Sequence, residues 1–114
     1  MNLELENREC GLQELYRAFL PAVYRTAFSL VQEHPMAESV ARDCFVELAR
    51  SELRFESMRQ IQGWLVLTAT SRCGNRGAAG LLWTLRRLRG QEGFTLQELA
   101  SLLRLWLGNN QRGN

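Results

Sequence analysis

The chain has one histidine (His34), one aspartate (Asp43) and no lysine among its 114 residues. No Ser/His/Asp, Cys/His or paired-carboxylate set can be argued from the spacing of these residues and the eleven glutamates, which speaks against the usual routes of acid–base and nucleophilic catalysis. The expectation is a protein that is not an enzyme, with no small-molecule substrate and no cofactor. Cysteine is scarce as well. Cys10, Cys44 and Cys73 are far apart and odd in number, and with a single histidine they suggest neither a disulfide framework nor a metal site; a reducing, cytoplasmic location follows. Glycine-rich strand-to-helix turns are missing, because Gly74, Gly77 and Gly80 follow a helical pattern. Apolar runs are only a few residues long, so no membrane insertion is expected. The start, MNLELENRE, is acidic and lacks the apolar stretch of a secretory signal.

What is present is an ordinary globular composition, 46% hydrophobic and 23% charged, enough to bury one real core. The net charge of +2 hides an asymmetry. Residues 1–56 carry six arginines against ten acids, whereas residues 57–114 carry eight against two. From Ser57 to Gln91 there are six arginines and no acid. Such a split suits a polyanion partner for the second half and a different, basic partner for the first, or simply a solvated basic face.

Apolar spacing predicts helices throughout. Leu12, Leu15, Tyr16, Phe19 and Leu20 begin one, and Val23, Tyr24, Ala27, Phe28 and Val31 continue its face beyond Pro21, giving a kinked helix or two abutting ones over 11–32. A second starts near Pro35, buries Ala37, Val40, Ala41, Cys44, Phe45 and Leu48, and fades around Ser51 to Leu53. On it, Glu38 and Arg42 have ion-pair spacing. Ser57-Met58-Arg59-Gln60 is a capping-box pattern that opens a third helix, which Gly74 and Gly77 should fray or end. A fourth covers about 79–89. Thr95-Leu96-Gln97-Glu98 is a second capping box, opening a fifth helix that stops near Gly108 before a disordered tail. The fold class is therefore all-α: a compact helical bundle in residues 1–77, then a short C-terminal helical hairpin in residues 78–114.

The third helix, IQGWLVLTATSRCGNRG, changes character along its length. Ile61, Trp64, Leu65 and Thr68 form a core-type stripe, while Ser71, Arg72, Asn75 and Arg76 offer hydrogen bonds and positive charge.

ELYRAFLPAVYRTAFSL, then HPMAESVARDCFVELAR, RFESMRQIQGWL and TATSRCGNR, in that order, resemble region 2 of bacterial extracytoplasmic-function sigma factors. GQEGFTLQELASLL resembles the opening of their region 4, whose helix-turn-helix would be incomplete here. The resemblance implies a bundle like sigma region 2 and a role in transcription initiation. Glu38, Ser39, Arg42, Asp43, Val46 and Glu47 occupy positions that dock on the clamp helices of the largest subunit of RNA polymerase core. Residues 54–76 correspond to the segment that opens the minus-ten promoter element and holds the single-stranded non-template strand. Base capture needs apolar or aromatic surface, groups that read base edges, and arginines against phosphate. Phe55 and Trp64 would supply the first, Gln60, Gln62, Ser71 and Asn75 the second, and Arg54, Arg59, Arg72 and Arg76 the third. Trp64 beside Leu65, and Phe55 with it, fit a core better than a base platform. The alternative function is a degenerate sigma-like interaction module that binds an anti-sigma factor or another sigma subunit without touching DNA.

Overall fold

The computed structural model describes the backbone of residues 8–112 and the side chains of residues 11–108. It is all-α, with five helices: α1 (Arg8–Val31), α2 (His34–Arg50), α3 (Met58–Arg72), α4 (Gly77–Gly90) and α5 (Leu96–Arg112). Cys10, the first seven residues and the last two fall outside what is described of side chain or backbone.

α1 runs unbroken through Pro21. Proline lacks an N–H, so the Arg17 carbonyl loses its helical partner, but the ring lies on the exposed side where water can replace it. Gln32, at φ +55°, turns the chain into α2, whose first turn holds Pro35. Tyr24 hydrogen-bonds His34, and the Phe28 and His34 rings stack at 4.6 Å, tying the end of α1 to the start of α2. The Glu38–Arg42 pair expected on α2 is not formed among the described residues.

α3 is the central element. Ser57 caps it, accepting from the Gln60 N–H at 3.1 Å, while the Gln60 side chain turns back to the Glu56 N–H at 2.8 Å. Every residue from Gln60 to Thr70 is buried, not the single stripe that the sequence suggests. The reason is packing on both sides: α1 and α2 cover one flank, α4 and α5 the other. A helix buried all round has no polar face to display. Its end is orderly. Gly74, at φ +92°, closes a Schellman motif in which its N–H reaches the Ser71 carbonyl (3.0 Å) and the Asn75 N–H reaches that of Thr70 (3.1 Å). Of the two outcomes expected of its glycines, fraying or an end, the helix takes the second, with a defined cap.

α4 packs on α3 through a buried hydroxyl pair. Thr84 Oγ1 donates to Thr70 Oγ1 at 2.8 Å, and the Thr70 proton goes to the Val66 carbonyl at 3.0 Å. α5 begins with the expected capping box, Glu98 N–H to Thr95 Oγ1 (3.0 Å) and Thr95 N–H to Glu98 Oε1 (2.8 Å). It passes Gly108 and continues to Arg112, so the glycine does not stop it and residues 109–112 are helical rather than tail. One core runs through the molecule: Phe45, Leu48, Trp64 and Leu65 join Leu88, Phe94, Leu99 and Leu102 of the hairpin. Residues 78–112 thus share the core of the preceding helices. No helix among the described residues is long and apolar enough to cross a membrane.

Candidate nucleic-acid and partner surfaces

The hairpin lies against the part of α3 expected to meet nucleic acid, and polar contacts hold it there. Gln60 Nε2 donates to Ser101 Oγ (2.7 Å) and to the Ser101 carbonyl (3.2 Å). Gln62 Nε2 donates to Glu92 Oε1 at 3.1 Å, and the other Glu92 oxygen takes Arg25 Nη2 of α1 at 3.2 Å. Arg59 faces Glu98 at 3.4 Å, donates to Gln62 Oε1 (3.2 Å) and the Gly93 carbonyl (3.4 Å), and lies over the Phe94 ring at 4.3 Å. Gly63 makes the approach possible. A β-carbon there would collide with the buried Leu102 side chain of α5.

These contacts correct several expectations. Gln60 and Gln62 are buried and bonded within the chain, so their amides face protein groups rather than base edges. Trp64 is 2% exposed and Phe55 4%, their rings meeting edge-on at 6.0 Å. Both are core residues in this structure, and neither presents a face on which a base could stack. Arg59 is 37% exposed, but its guanidinium is already engaged by Glu98, Gln62 and the Gly93 carbonyl. Arg54 is exposed.

The end of α3 is more open. Arg72 remains 40% exposed but bonds Glu47 Oε1 through Nε (3.1 Å) and Nη2 (2.8 Å), with Asp43 at 3.8 Å. The hydrogen bond to Glu47 is the main reason its pKa lies above the ordinary arginine value. Its charge is thus answered by α2. Among the described residues Arg76 donates only to the Ser71 carbonyl, at 3.4 Å, and Asn75 is exposed. Ser71, Asn75 and Arg76 line a cleft of about 470 Å³ with Thr70, half-buried Trp106 and the first turn of α4. Of the ten residues proposed for DNA, the structure brings three together on one accessible surface.

On α2, Glu38, Ser39, Arg42, Asp43 and Val46 are exposed and Glu47 half-buried. Asp43 and Glu47 are the acids paired with Arg72, which leaves Glu38 as the unpaired carboxylate of that set among the described residues. Family models, curated proteins and solved structures give no match to this chain. Its surfaces therefore have to be judged on their own chemistry.

The sequence reading missed Glu92 and Ser101, which fasten the hairpin, the reach of Glu98 from its capping box to Arg59, and Arg17 and Arg50, which flank an apolar groove. For the acids a signal existed. They are the two carboxylates in a half that carries eight arginines, and both sit beside the turn that starts α5.

Proposed function

We propose that this chain is a sigma-like protein-interaction module that engages a protein partner through the α1–α2 side and does not hold promoter DNA. The observation that carries this reading is the fate of Arg59, Gln60 and Gln62. Groups suited to reading an unpaired strand are bonded instead to Glu92, Glu98 and Ser101 of the same chain. With Trp64 and Phe55 in the core, no stacking platform accompanies them. The side that stays open is α2, where Glu38, Ser39, Arg42 and Val46 face solvent. The resemblance to sigma region 2 supplies the partner class: the clamp helices of RNA polymerase, an anti-sigma factor or another sigma subunit.

Two measurements test it. Fluorescence anisotropy with single-stranded minus-ten oligonucleotides should stay flat at micromolar protein across a salt series. A signal that falls steeply with salt would mean phosphate neutralisation and overturn the reading. Pull-down with polymerase core should recover wild type and several-fold less of Glu38→Arg. Equal recovery would remove α2 as the contact.

A second reading, promoter-strand binding, is favoured by one feature, the cleft holding Ser71, Asn75, Arg76 and Trp106. It requires that Arg76→Ala lower oligonucleotide affinity for all sequences alike, while Asn75→Ala changes base preference.

A further inference from the structure

We infer that the groove between the first half of α1 and the second half of α2 is a docking site for an acidic amphipathic helix of another protein. This rests on the interaction-module reading above and names the chemistry of its partner. The groove encloses about 740 Å³. Its floor is apolar, from Leu12 and Tyr16 of α1 and Phe45, Val46 and Ala49 of α2. Val46 is 47% exposed there, an apolar side chain pointing into water beside other apolar groups. Its rim is positive: Arg17, Arg42 and Arg50 line it, and no acid among the described residues does.

The arginines decide the occupant. None of the three carries an ion pair among the described residues, in contrast to Arg25, Arg59 and Arg72, each of which has a carboxylate. Of the acids of α2, Asp43 and Glu47 are turned to Arg72 on another face, and Glu38, one turn before Arg42, makes no ion pair with it among the described residues. Arg42 and Arg50 are eight positions apart on one helix, about 12 Å at 1.5 Å per residue. That is the separation of two carboxylates on neighbouring like faces of a partner helix, two turns apart, with apolar residues between them to cover Val46 and Phe45. Arg17 stands on the α1 side and would take an acid from the opposite flank. A basic helix, such as one chosen for an acidic α2, would place like charges together here and be rejected.

The test uses the full chain and two fluorescein-labelled helical probe peptides with the same leucine stripe, one flanked by glutamates and one by lysines. The glutamate peptide should bind saturably, with affinity falling as salt is raised, and the lysine peptide should bind at least tenfold more weakly. Arg17→Glu/Arg50→Glu should lower glutamate-peptide affinity at least tenfold while its circular dichroism melt matches wild type. Both positions are exposed and outside the α2 set tested by Glu38→Arg, so this variant and the polymerase pull-down can fail independently. Equal binding of the two peptides, no binding of either, or an unaffected double variant would overturn the proposal. So would self-association in sedimentation that the double variant abolishes, since the occupant would then be a second copy.

Discussion

The indole nitrogen of Trp64 is buried without a hydrogen-bond partner. An unpaired buried donor costs roughly 1–3 kcal/mol, which sets two opposed expectations at this position. Trp64→Phe removes the orphan N–H along with some volume, so the two effects offset and stability in urea should change by less than about 1 kcal/mol. Trp64→Ala keeps neither ring nor packing and should lose about 3–5 kcal/mol. Equal losses would mean that the indole makes a bond after all. The cysteines divide in the same manner. Burial pushes the Cys44 thiol up to about 12, and it also raises Cys73, which is only half-buried. The thiolate is the nucleophile, so Cys44 should resist N-ethylmaleimide until the protein unfolds, while Cys73 labels in the native state, as read by peptide mass spectrometry. Residue type alone left such matters open. Gln60 and Gln62 announce hydrogen bonding, but an amide suits a base edge and a backbone carbonyl equally. Only the position of Ser101 and Glu92, some thirty to forty residues further on, decides between them.

Between Gln60 and Ser71 the sequence of α3 has no charge, and Val66 and Leu67 fall off the Ile61–Trp64–Leu65–Thr68 stripe. Those two features were the legible sign of a helix enclosed on every side. Period alone concealed it, because the stripe satisfied the expectation of one buried face. Helix starts were easier to read, since the Ser57 and Thr95 caps depend on neighbours within four residues. Ends were harder. Gly108 lies inside α5 and Gly74 outside α3, a difference made by the φ of +92° at Gly74 and not by residue type. The Gly63 contact gives an element-scale prediction. Gly63→Ala pushes a methyl into Leu102, so either α5 shifts or Leu102 leaves its rotamer, and overpacking of this kind costs about 1–3 kcal/mol. Gly108→Ala, with open space around it, should be neutral or slightly stabilising, the helix-propensity gain being under about 1 kcal/mol. Thermal melts of the pair separate close approach from propensity. Glu98 adds a pH dependence. Its carboxylate is held below the ordinary range first by the Thr95 N–H and then by Arg59. A depressed native pKa means that this contribution is present above the unfolded value and disappears as pH falls through the native one. Amide protection at the start of α5 should thus weaken only on acidification below the usual carboxylate range, and Glu98→Gln should remove that dependence.

The two halves of the molecule, −4 and +6 in formal charge, meet across its core. Arg25 of the acidic half bonds Glu92 of the basic half, and Arg72 of the basic half bonds Glu47 and Asp43 of the acidic one. Part of the asymmetry that suggested a polyanion partner is therefore answered within the chain, a resolution invisible to a tally of charges along the sequence. Glu92 is the hinge of this arrangement. Its side chain is 10% exposed, it accepts from both Arg25 of α1 and Gln62 of α3, and the partly desolvated Arg87 of α4 feels its charge. Three helices thus converge on one carboxylate in the turn before α5. Glu92→Gln keeps the shape but gives up the charge-assisted bond to Arg25. It should cost about 1–3 kcal/mol, the range for loosening a buried polar group from its partner. Glu92→Arg should cost more, because Arg25 and Arg87 then face a third like charge. The loss should also be local. Hydrogen exchange in the reversed-charge variant should accelerate from Gln91 through α5 and in the first turn of α3, with α1 and α2 unchanged, if the hairpin opens as a unit before the bundle does. Uniform acceleration across all five helices would instead mean that bundle and hairpin unfold together, as their single continuous core permits.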